Sequence, residues 1–254
     1  MIDIHTHVLP GLDDGARSLE ESVEMLRTAA RSGTTDLVAT PHANLEFQFD
    51  PPAVEERLAE LQNVVGSAVR LHRGCDFHLY YENIQDALVD PSKYTINGKS
   101  YLLVEFSDLM IAQSTPQIFT RLIRAGMIPI ITHPERNYLL HSRIDQIKAW
   151  VGLGCYVQIT AQSFLGRFGS EARDIARQLV ERGLVHFVAS DAHDASDRTP
   201  RLDEAYRHVA ARYGDVYAEL LFVVNPRATL AGEPLGEQPA PTPPPRKWFK
   251  FWRR

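Results

Sequence analysis

The chain has 254 residues, 44% of them hydrophobic and 23% charged, an ordinary globular composition with enough length for one large domain. A disordered chain is excluded, and so is a disulfide-held scaffold, because Cys75 and Cys155 are the only cysteines. The net charge of −5 conceals a split: residues 246–254 carry five basic and no acidic side chains, leaving 22 basic against 32 acidic residues elsewhere, a body too acidic for a broad nucleic-acid surface.

No run of about 18 uncharged apolar residues occurs, and the chain opens Met1-Ile2-Asp3-Ile4-His5, without a basic segment followed by an apolar stretch. Neither a membrane span nor a standard signal peptide is expected. Two cysteines make a reducing cytoplasm the expected compartment.

Seven short apolar runs follow one another along the chain, at Ile2 to Val8, Thr35 to Thr40, Val69 to Cys75, Tyr101 to Phe106, Ile128 to Thr132, Cys155 to Thr160 and His186 to Ser190. Continuous apolar runs of this length suit strands buried on both faces, and their alternation with helical patterns predicts a parallel sheet. Ser18-x-x-Glu21 is a capping box for a first helix that Gly33 closes. Asp50-Pro51 reads as the cap and first turn of a second helix ending near Gly66. Asn97-Gly98 is a strong tight-turn signal, which predicts a hairpin arm between Tyr94 and Phe106. Later helices are expected at about 115–125, 142–151, 170–182 and 201–213, with Gly126, Gly152, Gly183 and Gly214 as stops.

The composition changes from Gly232. Gln238 to Pro245 reads as an extended proline spacer, and Arg246 to Arg254 interleaves Trp248, Phe249, Phe251 and Trp252 with basic residues. A domain of residues 1–232 is expected, followed by an extension, 233–254, without regular structure. Its basic aromatic end suits an anionic lipid surface or an acidic protein groove, or it is a solubilising terminus.

The chemistry collects at strand ends. His5-x-His7 puts two imidazoles on one side of the first strand. His42, Asp76, Glu105, His133 and the pair Asp191 and His193 then stand at the C-terminal ends of later strands, so six of the seven strands deliver a His or a carboxylate there. In barrels of alternating strands and helices that end carries the active site. A lone His or Asp after a strand is usually a loop residue or a cap, but repetition over six strands is not explained that way. With Asp14 from Asp13-Asp14-Gly15 the set holds five His and four carboxylates. Imidazole and carboxylate without thiolate suit Mn, Fe, Co or Zn, and nine ligands suit two or three ions. Three divalent ions against four carboxylates leave a charge of about +2, which complements a phosphate dianion. Arg136 and Arg198, each a few residues beyond a proposed ligand, offer planar forks for phosphate oxygens.

The motifs Asp3-Ile4-His5-Thr6-His7, Thr40-Pro41-His42, Glu105-Phe106, Thr132-His133-Pro134-Glu135-Arg136 and Ser190-Asp191-Ala192-His193 resemble those of the polymerase and histidinol phosphatase family. Leu9 to Ala16, Gln158-Ile159-Thr160-Ala161 and the HPER run are most similar to the bacterial tyrosine phosphatases of capsule and exopolysaccharide operons within it. The resemblance, over about residues 1–230, implies an irregular seven-stranded, TIM-like (β/α)7 barrel. It also implies a three-metal cluster on His5, His7, Asp14, His42, Asp76, Glu105, His133, Asp191 and His193, with Mn first among the candidate ions, and Arg136 and Arg198 on the phosphate. The family usually carries Glu where Asp76 stands, so either the metals shift or residues 74–78 move inward, with His78 as the substitute ligand.

The expected reaction is phosphotyrosine hydrolysis by a metal-bound hydroxide. Neither cysteine is followed by the Cys-x5-Arg pattern of thiol phosphatases. Tyrosinate, with a pKa of about 10, leaves without strong help; His42 or a metal-bound water is the candidate proton donor. By the resemblance the partner is the phosphorylated tyrosine-rich tail of a membrane-associated tyrosine autokinase. The competing enzyme reading is a histidinol-phosphate or other small phosphoester phosphatase. The non-enzyme reading is a metal-stabilised adaptor.

Overall fold

A computed structural model describes residues 1–241; the basic aromatic end, 246–254, and the second half of the proline spacer, 242–245, lie outside the described residues. The strands are β1 (Ile2–Thr6), β2 (Asp36–Ala39), β3 (His42–Ala43), β4 (Arg70–Arg73), β5 (Asp76–His78), β6 (Tyr101–Glu105), β7 (Ile128–Thr132), β8 (Tyr156–Thr160) and β9 (Phe187–Ala189). Every strand pairing in the described residues is parallel. The helices between them include α1 (Leu19–Arg31), α2 (Pro51–Val65), α3 (Tyr81–Val89), α4 (Thr115–Arg124), α5 (Tyr138–His141), α6 (Ile144–Gly152), α7 (Ala161–Phe164), α8 (Gly169–Glu181) and α9 (Asp203–Tyr213).

The α/β architecture with parallel strands is as expected, but the single seven-stranded barrel is not what the strand pairing displays. Nine strands fall into two sheets, β1-β2-β4 and β3-β5-β6-β7-β8-β9, and neither closes on itself. Two of the expected strands, 35–40 and 69–75, are each followed at once by a short strand that was not expected, β3 and β5. Pro41 has no N–H to give the ladder, which separates β2 from β3. Gly74 and Cys75 separate β4 from β5, where the backbone runs so close to β2 that a Cβ on Gly74 would lie 2.6 Å from Val38 Cγ1 and 2.9 Å from Thr40 Cγ2.

Half of the capping box forms: Ser18 Oγ accepts from Glu21 N–H at 3.3 Å, satisfying one of the N–H groups that a helix start leaves free, while the Glu21 carboxylate accepts from Arg17 N–H at 2.9 Å rather than from Ser18. The expected hairpin arm does not form. Asn97 and Gly98 both adopt positive φ, 54° and 65°, as a tight hairpin turn requires. They lie instead in a single 3-10 turn, Ile96–Gly98, with no antiparallel partner. The Asn97 amide donates to Leu230 O at 3.1 Å, so the turn is held by the C-terminal helix. That helix was not anticipated. It runs as α10 (Asp215–Glu219), a π turn over Leu220–Val224, and α11 (Asn225–Ala231). Pro226 cannot bond the carbonyl of Phe222, and the wider turn lies immediately before it.

Two hydrophobic cores result. The larger fills the space between strands and helices, with Leu37, Leu102, Val104, Ile131, Val157 and Val188 on the strand side. A smaller one lies between the strands, built on Ile2, Ile4, Val38, Leu103, Ile130, Phe187 and Ala189. Strand alternation makes this inner core the floor of the site: Leu103 is two residues before Glu105, and Ala189 two before Asp191. In β1 the register slips by one residue between Asp3 and Thr6. Such a bulge re-aims side chains, and it lets Ile4 face the inner core while His5 faces the site above. Beyond Gly232, Tyr101 Oη donates to Glu233 O at 2.6 Å, and the Asn225 and Gln238 amides exchange two hydrogen bonds of 2.9 Å and 3.1 Å. Among the described residues no helix is long and apolar enough to cross a membrane.

At the opposite end from the site, buried His186 accepts the Val157 N–H on Nδ1 at 3.2 Å, and burial pushes its pKa down to about 4. The unfolded chain therefore takes the proton first as the pH falls below about 6.5. The stability this neutral imidazole contributes is complete above that pH and declines as the pH falls toward 4. Between pH 7.5 and 5 the loss should be about 2 kcal/mol, read from urea midpoints, and His186→Gln should remove that part of the decline; equal declines in the two proteins would refute the assignment.

Candidate metal centre

All nine ligand candidates, together with His78, meet at the C-terminal ends of the strands. Their donor atoms form four overlapping groups, in each of which every atom lies within 4.8 Å of the others: His7-Asp14-His42-His193, His42-Asp76-His78-Glu105, His5-His7-Asp76 and His5-His133-Asp191. Asp76 belongs to two groups, with Oδ2 3.1 Å from His42 Nδ1 and 3.6 Å from His5 Nε2. His5, His7 and His42 likewise belong to two groups each. Gly74, two residues before Asp76, packs tightly against Val38 and Thr40. His78 stands beside Asp76 rather than in its place, with Nε2 2.5 Å from Glu105 Oε2.

The donor chemistry fits divalent cations. His5 Nε2 and His7 Nε2 lie 3.2 Å apart, and the rings of His7 and His193 are 3.9 Å centre to centre. Both oxygens of Asp76, both nitrogens of His78, Nδ1 of His42 and Oε2 of Glu105 are buried without an aligned hydrogen-bond partner. Buried polar atoms are nearly always paired, and lone pairs aimed at one another make sense around a shared positive charge. With protein atoms alone, protons take that role. Burial opposes a charged imidazole at His42, yet Asp14 and Asp76 push its pKa up to about 11; Asp13 likewise overrides burial and raises His7 to about 9. His193, penalised by burial and by the neighbouring His7, falls to about 4. Against its burial, Asp191 is held well below the usual carboxylate range, by Arg136 foremost.

Three residues that orient the ligands were not singled out from the sequence. Asp13 Oδ2 takes His7 Nδ1 at 2.6 Å and the His42 N–H at 3.2 Å, which turns His7 Nε2 into the cluster. Gln158 Oε1 does the same for His5 Nδ1 at 3.0 Å. Such partners fix ring orientation and tautomer. Asp13-Asp14 signalled two carboxylates, but not which one reaches the cluster. Glu135, buried beside Arg136, accepts from Thr160 N at 3.0 Å and Ser163 Oγ at 2.7 Å, tying the loop after β7 to the start of α7.

His133 and Asp191 adopt φ of 31° and 51°, a region that costs a residue with a side chain roughly 1–3 kcal/mol. Both sit in the group with His5. Arg136 and Arg198 converge on one atom: Arg136 Nη1 and Arg198 Nη2 both bond Asp191 Oδ2, the latter at 2.7 Å. The Arg136 guanidinium lies 4.3 Å from the centre of the Phe168 ring, which holds its plane. Cys75 and Cys155 are buried thiols, with pKa values raised by burial, and neither is a nucleophile for this site.

A family model described as "Capsular polysaccharide synthesis, CpsB/CapC" matches residues 1–231. The chain belongs to the CpsB/CapC family. Tyrosine-protein phosphatase YwqE of Bacillus subtilis is 34% identical over 256 residues, covering 99% of this chain and 100% of its own. Putative tyrosine-protein phosphatase CapC of Staphylococcus aureus is 33% identical over 256 residues, with 98% and 99% covered. A crystal structure from work on YwqE of B. subtilis and CpsB of Streptococcus pneumoniae, described as metal-dependent tyrosine phosphatases, superposes with a TM-score of 0.88 at 32% identity, over 96% of this chain and 99% of that one. The match to this CpsB/CapC structure spans the site and both sheets.

Gly15 shows how the Asp14 loop of this CpsB/CapC chain is held. A Cβ there would overlap the carbonyl oxygen and Cβ of His7. Mn2+ at a hundred times its dissociation constant should stabilise the protein by about 2.7 kcal/mol, a melting rise of roughly 5–10 °C for a chain of this size. Gly15→Ala deletes no ligand but lifts the loop, so calorimetry should find a smaller rise; an undiminished rise would show that this contact does not position Asp14.

Proposed function

We propose that this chain is a metal-dependent protein-tyrosine phosphatase. The observation that carries the reading is the convergence of ten ligand-type side chains from six strand ends beside two arginines. The full-length likeness to YwqE and CapC supports it. The unit of function is residues 1–232, a span the family model nearly matches. We read the two sheets as one seven-stranded barrel with two interrupted strands. In support, Asp191 N–H donates to His5 O at 2.9 Å and His7 N–H to Ala192 O at 2.8 Å, bonding β9 to β1 at one seam, and at the other the chain runs directly from β2 into β3 and from β4 into β5.

His5, His7, Asp14, His42, Asp76, Glu105, His133, Asp191 and His193 hold two or three divalent ions, with Mn2+ as the first candidate and Fe, Co or Zn as alternatives. Such ions, when bound, polarise phosphoryl oxygens and lower the pKa of water toward about 7. The protein's own groups do the rest. Arg136 and Arg198 grip the phosphate oxygens with planar forks. The inner core beneath the cluster keeps its floor dry, which strengthens every charge interaction above it. A tyrosinate leaving group, with a pKa of about 10, asks little of a proton donor.

The substrate is the phosphotyrosine tail of a membrane-associated tyrosine kinase that controls capsule or exopolysaccharide synthesis, and the enzyme works in the cytoplasm. The basic aromatic end, Arg246 to Arg254, holds it near anionic lipid.

Purified protein supplied with Mn2+ should release phosphate from a phosphotyrosyl peptide much faster than from histidinol phosphate. Chelator and His133→Ala should each lower that rate by 100-fold or more. Release from histidinol phosphate alone would replace the reading, and release from neither would favour the metal-stabilised adaptor. Deleting residues 242–254, which spares the Gln238 pairing, should abolish co-sedimentation with anionic vesicles; unchanged sedimentation would remove the membrane role.

A further inference from the structure

An apolar cavity of about 290 Å3 opens beside the metal centre. Leu45, Leu79, Tyr80, Phe106, Leu109 and Met110 line it, and His78 of the ligand cluster forms part of its wall. Phe106 also lines a small polar cavity of about 70 Å3 that contains Glu105, Asp108, His133 and Arg136. The apolar cavity thus adjoins the cluster on two sides, at His78 and at the Glu105–Phe106 step. Its rim is unusual for a water-facing loop. Leu45, Leu109 and Met110 are 81%, 88% and 66% exposed, and exposed apolar groups gathered around a cleft mark a binding surface more often than a structural one.

We propose that this cavity receives the phenyl ring of the substrate's phosphotyrosine, and that Leu109 and Met110, with Leu45 opposite, make the site select aryl over alkyl phosphomonoesters. The inference rests on the phosphatase reading and adds the basis of its selectivity. A ring joined to a phosphoryl group through one oxygen must lie next to the ions, and this is the apolar cavity whose lining includes one of the cluster's own side chains. Tyr80 and Phe106 offer faces and edges for the offset or edge-on packing that aromatic rings prefer. The alternative occupant, a neighbouring apolar side chain of the peptide, would not be present in a small aryl ligand.

The test is binding first, so that it does not depend on turnover. Phenylphosphonate and ethylphosphonate, which cannot be hydrolysed at carbon–phosphorus under these conditions, are titrated calorimetrically into the Mn2+-loaded full chain. The phenyl ligand should bind about 10-fold or more tightly than the ethyl ligand. Leu109→Ser with Met110→Ser, both at exposed positions where folding depends little on the side chain, should bring the two affinities together. Ala112→Trp, which fills the cavity from its own wall, should do the same by obstruction. Equal affinities in the unmodified protein, or a ratio unmoved by both variants, would overturn the proposal. So would variants that weaken a phosphotyrosyl peptide while leaving phenylphosphonate untouched, because the cavity would then hold a flanking residue. A protein that shows the phenyl preference but turns over no phosphomonoester would refute the phosphatase reading while keeping the aryl cavity.

Discussion

Asp191 is the group on which the rest of the molecule depends. Its backbone N–H bonds His5 O and so fastens the end of β9 to β1, at the seam where the two sheets must meet. Its Oδ1 lies 3.4 Å from His7 Nε2 and 3.6 Å from both His5 Nε2 and His193 Nδ1. Its Oδ2 takes both arginines. One carboxylate therefore closes the chain, joins the imidazoles and stations the two guanidinium groups. The positive φ of this residue is backbone strain held in place by all of those bonds, the pattern expected where geometry serves chemistry.

The same site is costly to fold without cations. Six imidazoles and several carboxylates are buried close together, and lone pairs that face each other gain nothing from burial. Mutual protonation offsets part of that cost, as the opposite displacements of His42 and His193 illustrate. The two cores supply the remainder. The outer one anchors helices to strands, and the inner one, small and fully apolar, forms a floor that lets ion and phosphate interact at low dielectric.

Several features were legible because each rests on a local rule. Alternating apolar runs and helices specified parallel strands, and Ser18 marked a helix start that its side chain caps. The clustering of Glu105, His133 and Asp191 at one end of the fold was legible too, since each ends a strand or follows it within two residues; His42 and Asp76 instead open the short strands β3 and β5. Other features were not legible, because their partners are distant in sequence. Asn97-Gly98 has the backbone of a hairpin turn, yet contact with Leu230, more than a hundred residues away, holds it in a different one. The break between β4 and β5 depends on how closely Gly74 approaches β2. Asp13 and Gln158 act only through the imidazoles they orient.

By itself the sequence determined the class of fold and the set of imidazole and carboxylate side chains that gather at one end of it, because these follow from residue type and from periods of two and 3.6 along the backbone. Tertiary structure alone decided which of these side chains stand within reach of one another, that both arginines meet on Asp191, and that an apolar cavity borders the cluster. Those are distances between segments far apart in the chain, and only the packing of sheets and helices against one another sets them.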